Sequence, residues 1–225
     1  MANMTRHRGP DETRIVEEKS NGLSIHMATN RLKITEHTQL ASQPFSVGTC
    51  RKYLLFNGEI YNYRDLKNIL LDVGVQFHSD SDTEVLFQWI SMFGKERINA
   101  LEGMFAFAFL DLEQEEILIA RDRSGIKTIY YHDAGNIFIA SSELKPIAGC
   151  GLYQKRLNKR QINHYLCYKY AAPPETFFED VFELLPGSVL HYRNHCWEKS
   201  SFSNVDFQGS SELIDIQDIE ELITW

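Results

Sequence analysis

Only four cysteines occur in the 225 residues, and Cys50, Cys150, Cys167 and Cys196 stand far apart with no CxxC pair among them. No His-x-x-x-His spacing accompanies them, which excludes a metal centre built on paired thiolates or imidazoles. They read as buried or half-buried thiols of a reducing compartment. Positive charge is also short. The chain has 23 Lys and Arg against 31 Asp and Glu, a net charge of -8, with no basic cluster, which argues against nucleic acid as a partner. Long hydrophobic runs are missing too: the longest, Met104 to Leu110, is far below the roughly 20 residues of a spanning helix. No charged-then-apolar leader opens the chain, so no membrane partner is expected and the cytoplasm is the expected compartment. Neither GxGxxG nor a Walker-type loop appears, so nothing in this chain cradles a nucleotide phosphate and no cofactor is expected in it.

What is present can bury a sizeable core. The chain is 43% hydrophobic, with 14 Phe and 10 Tyr, and its length suits one large domain or one domain with an appended piece. Residues 1–19 read as polar loop. Leu23 to Met27, Arg31 to Thr35 and Arg51 to Phe56 read as strands. Asn62 reads as the cap of a helix whose stripe is Leu66, Ile69, Leu70 and Val73, stopped by Gly74. Ser81-x-x-Glu84 is a capping-box pattern before Val85, Leu86, Trp89, Ile90 and Phe93, and Gly94 ends that helix. Met104 to Leu112, Glu116 to Arg121 and Asn136 to Ser141 read as strands of an antiparallel meander, with turns at 122–125 and 132–135. A helix follows over 160–170 with Ile162, Tyr165 and Leu166 on one face, then Pro173-Pro174, then a hairpin over 181–192 around Pro186-Gly187. Past Trp197 the serines read as a linker, and Ile214, Ile216, Ile219, Leu222 and Ile223 as the start of another helix. The domain division is therefore 1–196 and 197–225.

The most informative stretch is Leu54 to Asn62, an apolar run ending in Asn57-Gly58-Glu59. Asn57 offers a side-chain amide, Gly58 a bare backbone N–H and Glu59 a negative charge. Two convergent neutral donors suit an oxyanion hole, and a carboxylate beside them suits an ammonium. Taken alone, the same residues describe a strand-to-helix turn.

That run occurs with HRGPD (His7 to Asp11), SDTEV (Ser81 to Val85), GMFAFA (Gly103 to Ala108) and RDRSGIK (Arg121 to Lys127). The ordered set, from about His7 to about Tyr192, resembles the glutamine-hydrolysing half of asparagine synthetase, a class II glutamine amidotransferase of the N-terminal-nucleophile type. The resemblance implies an α+β fold, a four-layer sandwich of two antiparallel sheets covered by helices, incomplete at its N-terminus. It also implies glutamine as substrate and release of ammonia to a synthetase domain, in cis or in trans, that amidates aspartate. ATP and Mg would belong to that other domain, and homodimers are common among relatives. For glutamine's carboxylate the candidate is Arg31, whose guanidinium grips two oxygens. The segment Arg31-Leu32-Lys33-Ile34-Thr35 is similar to the family's Arg-Leu-Ser-Ile, which implies that Leu32, Ile34 and Thr35 line the substrate. For the ammonium the candidates are Asp82 and Glu59, and Asn57 with Gly58 would form the oxyanion hole. His7 reads as structural, and Arg121, Asp122, Arg123 and Lys127 as bracing a turn or facing the synthetase domain.

The chain departs from the pattern where it matters most. The family opens Met-Cys-Gly-Ile, and the exposed cysteine is the nucleophile, with its own α-amine as general base. This chain opens Met1-Ala2-Asn3-Met4, all four cysteines are interior, and no Ser-Gly-Gly-x-Asp-Ser loop follows. Thr29 stands where a histidine is common, Lys33 for a serine and Thr128 for a proline. Three readings are ranked in order: a glutaminase domain cut at both ends and inactive alone; a degenerate, non-catalytic module that binds glutamine or a partner; and a remnant that folds poorly.

Overall fold

A computed structural model describes residues 1–20, 22–32 and 42–202. The pattern of apolar residues dictates its layering. β4 (Gly103–Asp111) is apolar at nearly every position because both of its faces are covered. Phe105, Phe107 and Phe109 turn to one side, where they meet Leu66 and Leu70 of α1 (Tyr63–Asp72) and Val85, Leu86, Trp89 and Ile90 of α2 (Asp82–Phe93). β4 is flanked by β3 (Lys52–Ile60) and β5 (Glu116–Arg121), then β9 (Ser188–Arg193) and β10 (Cys196–Ser201). The resulting sheet has the order β10-β9-β5-β4-β3, antiparallel throughout.

Its other face is covered by two groups of strands. The hairpin of β1 (Glu12–Ser20) and β2 (Leu23–Arg31) brings Met27, Val16 and Ile25 against Leu110, Leu112, Tyr53 and Leu55. The sheet β7-β6-β8, formed by Phe138–Ser141, Tyr130–Asp133 and Val181–Glu183, brings Tyr131 and Phe138 against Ala106, Ile119 and Leu190. Successive strand residues face opposite ways, so Tyr130 and Ile139 point outward and pack with Ile147 of α3 (Leu144–Gly149). The order is helix, sheet, strands, helix: a four-layer α+β fold. Among the described residues its second strand layer is two separate pieces, where one sheet was expected. No helix among the described residues is long and apolar enough to cross a membrane.

Several elements differ from their sequence expectations for identifiable reasons. The opening residues are not plain loop: 3-10 turns at Ala2–Met4 and Arg6–Arg8 lead into β1. The pieces 23–27 and 31–35 were expected as separate strands, but β2 runs unbroken to Arg31. Ile69 and Val73 lie off the buried stripe of α1, at 46% and 55% exposure. Asn62 stands at the start of α1 without capping it. Its side chain instead donates to Ala100 O (2.9 Å) and accepts from Glu102 N (3.1 Å), tying α1 to the start of β4. β6 takes His132 and Asp133 from an expected turn. The expected hairpin at Pro186-Gly187 is instead a crossing between sheets, since β8 pairs with β6 and β9 with β5. Ser200 and Ser201 pair in β10 against β9. Tyr165 and Leu166 of α4 (Lys159–Tyr168) are exposed.

The capping box at Ser81 forms in half. Ser81 Oγ accepts from Glu84 N at 3.2 Å, but the Glu84 carboxylate turns back to the preceding loop. It takes Ser79 N (2.7 Å), Ser79 Oγ (2.6 Å) and His78 N (2.9 Å). Burial pushes this carboxyl up, yet those bonds together outweigh it and hold Glu84 below the ordinary carboxylate value.

RDRSGIK is a buried hub. Asp122, fully buried, accepts from Phe105 N (3.2 Å), Ile126 N (3.0 Å) and Lys127 N (3.0 Å). Arg121 donates to Lys127 O (2.6 Å), Gly125 O (2.7 Å), Leu184 O (2.6 Å) and the Glu183 carboxylate (2.7 Å). The bracing role holds for both residues.

Candidate functional site

Asn57, Gly58 and Glu59 lie within β3, opposite Ala106, Phe105 and Met104, and not in a turn at the strand's end. Only glycine fits at 58. A Cβ there would stand 2.0 Å from Met104 O and 2.7 Å from Phe105 Cα, both main-chain atoms of β4. The close approach of the two strands, together with the need for a bare N–H, accounts for the glycine.

β3 is the edge strand, and its outward main-chain donors can be followed one by one. Leu54 exchanges both hydrogen bonds with Phe45 at 2.8 Å, so it points outward, and residues 56, 58 and 60 follow by the period of two. Phe56 N donates to Gln43 Oε1 at 2.8 Å, and Ile60 N to Asp82 Oδ2 at 3.1 Å. Between them, Gly58 N has no partner among the described residues. The half-buried Asn57 amide is in the same state, on the face that Tyr53 and Leu55 turn to the β1–β2 hairpin.

Asp82 opens α2 and reaches that edge. Burial raises its carboxyl above the ordinary range, the hydrogen bonds from Ile60 and Thr83 pull the other way, and the nearby negative charge of Glu59 adds to the rise. Two carboxylates so placed would both be relieved by a cation between them.

Arg31 ends β2, paired across to Glu12 and bridged to Pro10. The Gly9-Pro10 turn of HRGPD supports it from beneath: a Cβ on Gly9 would stand 2.5 Å from Arg31 N. His7 sits apart, its Nε2 3.1 Å from the Glu143 carboxylate at the start of α3. Leu32 is 50% exposed just past β2; Ile34 and Thr35 lie outside the described residues. The structure therefore brings Asn57, Gly58, Glu59 and Asp82 together. It ties the β2 end to the same edge through a residue that sequence reasoning missed. Gln43 O accepts from Thr29 Oγ1 at 2.6 Å while its side chain holds Phe56 N. No periodicity marks residue 43; only its contacts across two strands reveal it.

The cysteines are held elsewhere. Cys50 Sγ donates to Val47 O (2.8 Å) and Cys150 Sγ to Ile147 O (3.2 Å), while Cys167 and Cys196 are exposed on α4 and β10.

The layering of helices over antiparallel sheets is an α+β fold shared with solved amidotransferases. Solved structures agree on the fold. The allosteric regulatory enzyme of purine biosynthesis superposes with a TM-score of 0.54 at 22% identity, over 79% of this chain and 35% of that one. The Bacillus subtilis glutamine phosphoribosylpyrophosphate amidotransferase, complexed with ADP and GMP, gives 0.52 at 22%, over 79% and 35%. The model of the glutamine amidotransferase domain matches residues 1–203, and the chain belongs to that family. Among curated relatives, asparagine synthetase [glutamine-hydrolyzing] 1 of Bacillus subtilis (strain 168) is 31% identical over 193 residues, 86% of this chain and 30% of that protein. The amidase chry2 of Gibberella zeae is 29% identical over 184 residues, 82% of this chain and 26% of its own. The chain thus spans under a third of either relative's length.

Proposed function

We propose that this domain binds free glutamine at the outer edge of β3, as the glutaminase half of an asparagine synthetase. Arg31 takes the carboxylate; Asp82 and Glu59 take the ammonium. Gly58 N–H and the Asn57 amide receive the side-chain carbonyl and stabilise the negative charge that develops there. The observation that carries this reading is the Gly58 N–H, without a partner among the described residues, flanked by satisfied donors at Phe56 and Ile60 and facing the Asp82 side of the edge. The ammonia would pass to a synthetase domain, in cis or in trans, which supplies ATP and Mg for amidating aspartate. The domain needs no cofactor of its own for glutamine binding. A cytoplasmic setting and a homodimer accord with this reading.

None of the four cysteines lies at the site, so the 225-residue chain is expected to bind glutamine without turning it over. Calorimetry on the purified chain tests this: Arg31→Ala should weaken glutamine binding at least tenfold, the loss of a charge-assisted contact. Equal affinity would overturn the assignment of Arg31. Ammonia release above a heat-killed control, lost in Asn57→Ala, would overturn the inactivity.

A further inference from the structure

The pairing of Phe45 with Leu54 sets an antiparallel register that puts residue 43 opposite Phe56. At that position the main chain does not continue the ladder. The side-chain oxygen of Gln43 takes Phe56 N–H at 2.8 Å, and its main-chain oxygen turns to the Thr29 hydroxyl at 2.6 Å. At Phe56 the acceptor is thus a side chain, which fixes that donor through Gln43 alone. Thr29 lies two residues before Arg31 on the same face of β2, so the bond at Thr29 also sets where Arg31 stands relative to β3.

We propose that Gln43 is a positioning residue of the site: its side chain holds the Phe56 N–H, the outward donor next to Gly58, and its main chain joins the β3 edge to the strand that carries Arg31. This rests on the glutamine-pocket reading above. Gln43 acts through Phe56 and Thr29; contact with substrate is assigned to the other residues.

The test uses the 15N-labelled 225-residue chain, following the Phe56 and Gly58 amide resonances and titrating with glutamine. Gln43→Met keeps the length and removes the acceptor. It should shift both amides in the free protein and weaken glutamine about tenfold, in keeping with a main-chain donor deprived of its buried partner. Gln43→Glu keeps an acceptor and should return the Phe56 resonance and hold affinity within threefold. Gln43→Met binding within twofold of wild type, or Gln43→Glu failing to rescue, would overturn the proposal. If Gln43→Met does not fold, Thr29→Val carries the test: severalfold weaker binding with the Phe56 amide in place is expected, and unchanged binding overturns it. Wild-type amides that ignore glutamine would defeat the pocket reading itself, and the positioning role with it. The free-protein shifts in Gln43→Met report the strut separately, so the two failures are distinguishable.

Discussion

Replacing Gly58 by alanine should cost far more than a surface glycine substitution, and the structure says how much. The new Cβ would lie 2.0 Å from Met104 O and 2.7 Å from Phe105 Cα, where ordinary contact needs roughly 3.5 Å. β3 must therefore move away from β4 by about 1 Å or more, at a strand spacing near 4.8 Å. As an edge strand it has room to move, but its outward donors hold it: Leu54 to Phe45, Phe56 to Gln43 and Ile60 to Asp82. Overpacking of this kind costs about 1–3 kcal/mol, and each flanking ladder bond lost or stretched adds about 0.5–1.5 kcal/mol. With two such bonds, Gly58→Ala should lose about 2–6 kcal/mol. Gly135→Ala is the control: its φ is also positive at 80°, but nothing lies within 4 Å of the added Cβ, so only about 1–2 kcal/mol of backbone cost applies. Denaturant unfolding followed by the fluorescence of the buried Trp89 measures both. Gly103→Ala makes the mirror clash, 2.1 Å from Glu59 O, and the double variant should fall short of the sum because one strand separation relieves both. A Gly58→Ala loss no greater than that of Gly135→Ala would refute the close-approach argument.

Three further outcomes are expected. Asp122→Ala strands the main-chain donors of Phe105, Ile126 and Lys127 and should cost about 3 kcal/mol or more by the same unfolding assay. Glu84 is held below its ordinary value near 4.5, so its contribution is present above the unfolded pKa and is lost as pH falls through the folded one. Thermal melts from pH 7 to 3 should show stability dropping at the acid end, and Glu84→Gln should lower Tm at pH 7 and flatten that drop. Asp82 is shifted upward, chiefly by burial, so its ionised form costs stability that grows as pH rises from the unfolded pKa through the folded one. Unliganded Asp82→Asn should then melt no lower than wild type at pH 7, while glutamine should raise the wild-type Tm and leave the variant's Tm unmoved. A wild-type-sized glutamine shift in that variant would remove Asp82 from the site.

Much of this molecule could be read without coordinates, because local chemistry decided it. Ser81 caps α2, Gly94 stops it and Trp89 and Ile90 face inward, since capping and helical periodicity act within a turn or two. β5 runs over Glu116–Arg121, as the apolar run and the turn after it indicated. The motif set also carried the family, and with it the expectation that Asn57, Gly58, Glu59 and Asp82 act together. What the sequence could not decide was anything that depends on which surfaces meet. Val181–Glu183 and Ser188–Arg193 look like two arms of one hairpin, yet packing sends them to different sheets, with Gly187 N bonded to Asp122 O at 2.9 Å. Asn62 has the composition of a helix cap, but the start of β4 offers it better partners. Gly58 reads as a residue chosen for its open donor, and its packing against β4 is visible only once the strands are paired. Gln43 carries no local signal at all. Its role exists because the fold sets Thr29 and Phe56, 27 positions apart in the sequence, on either side of one side chain.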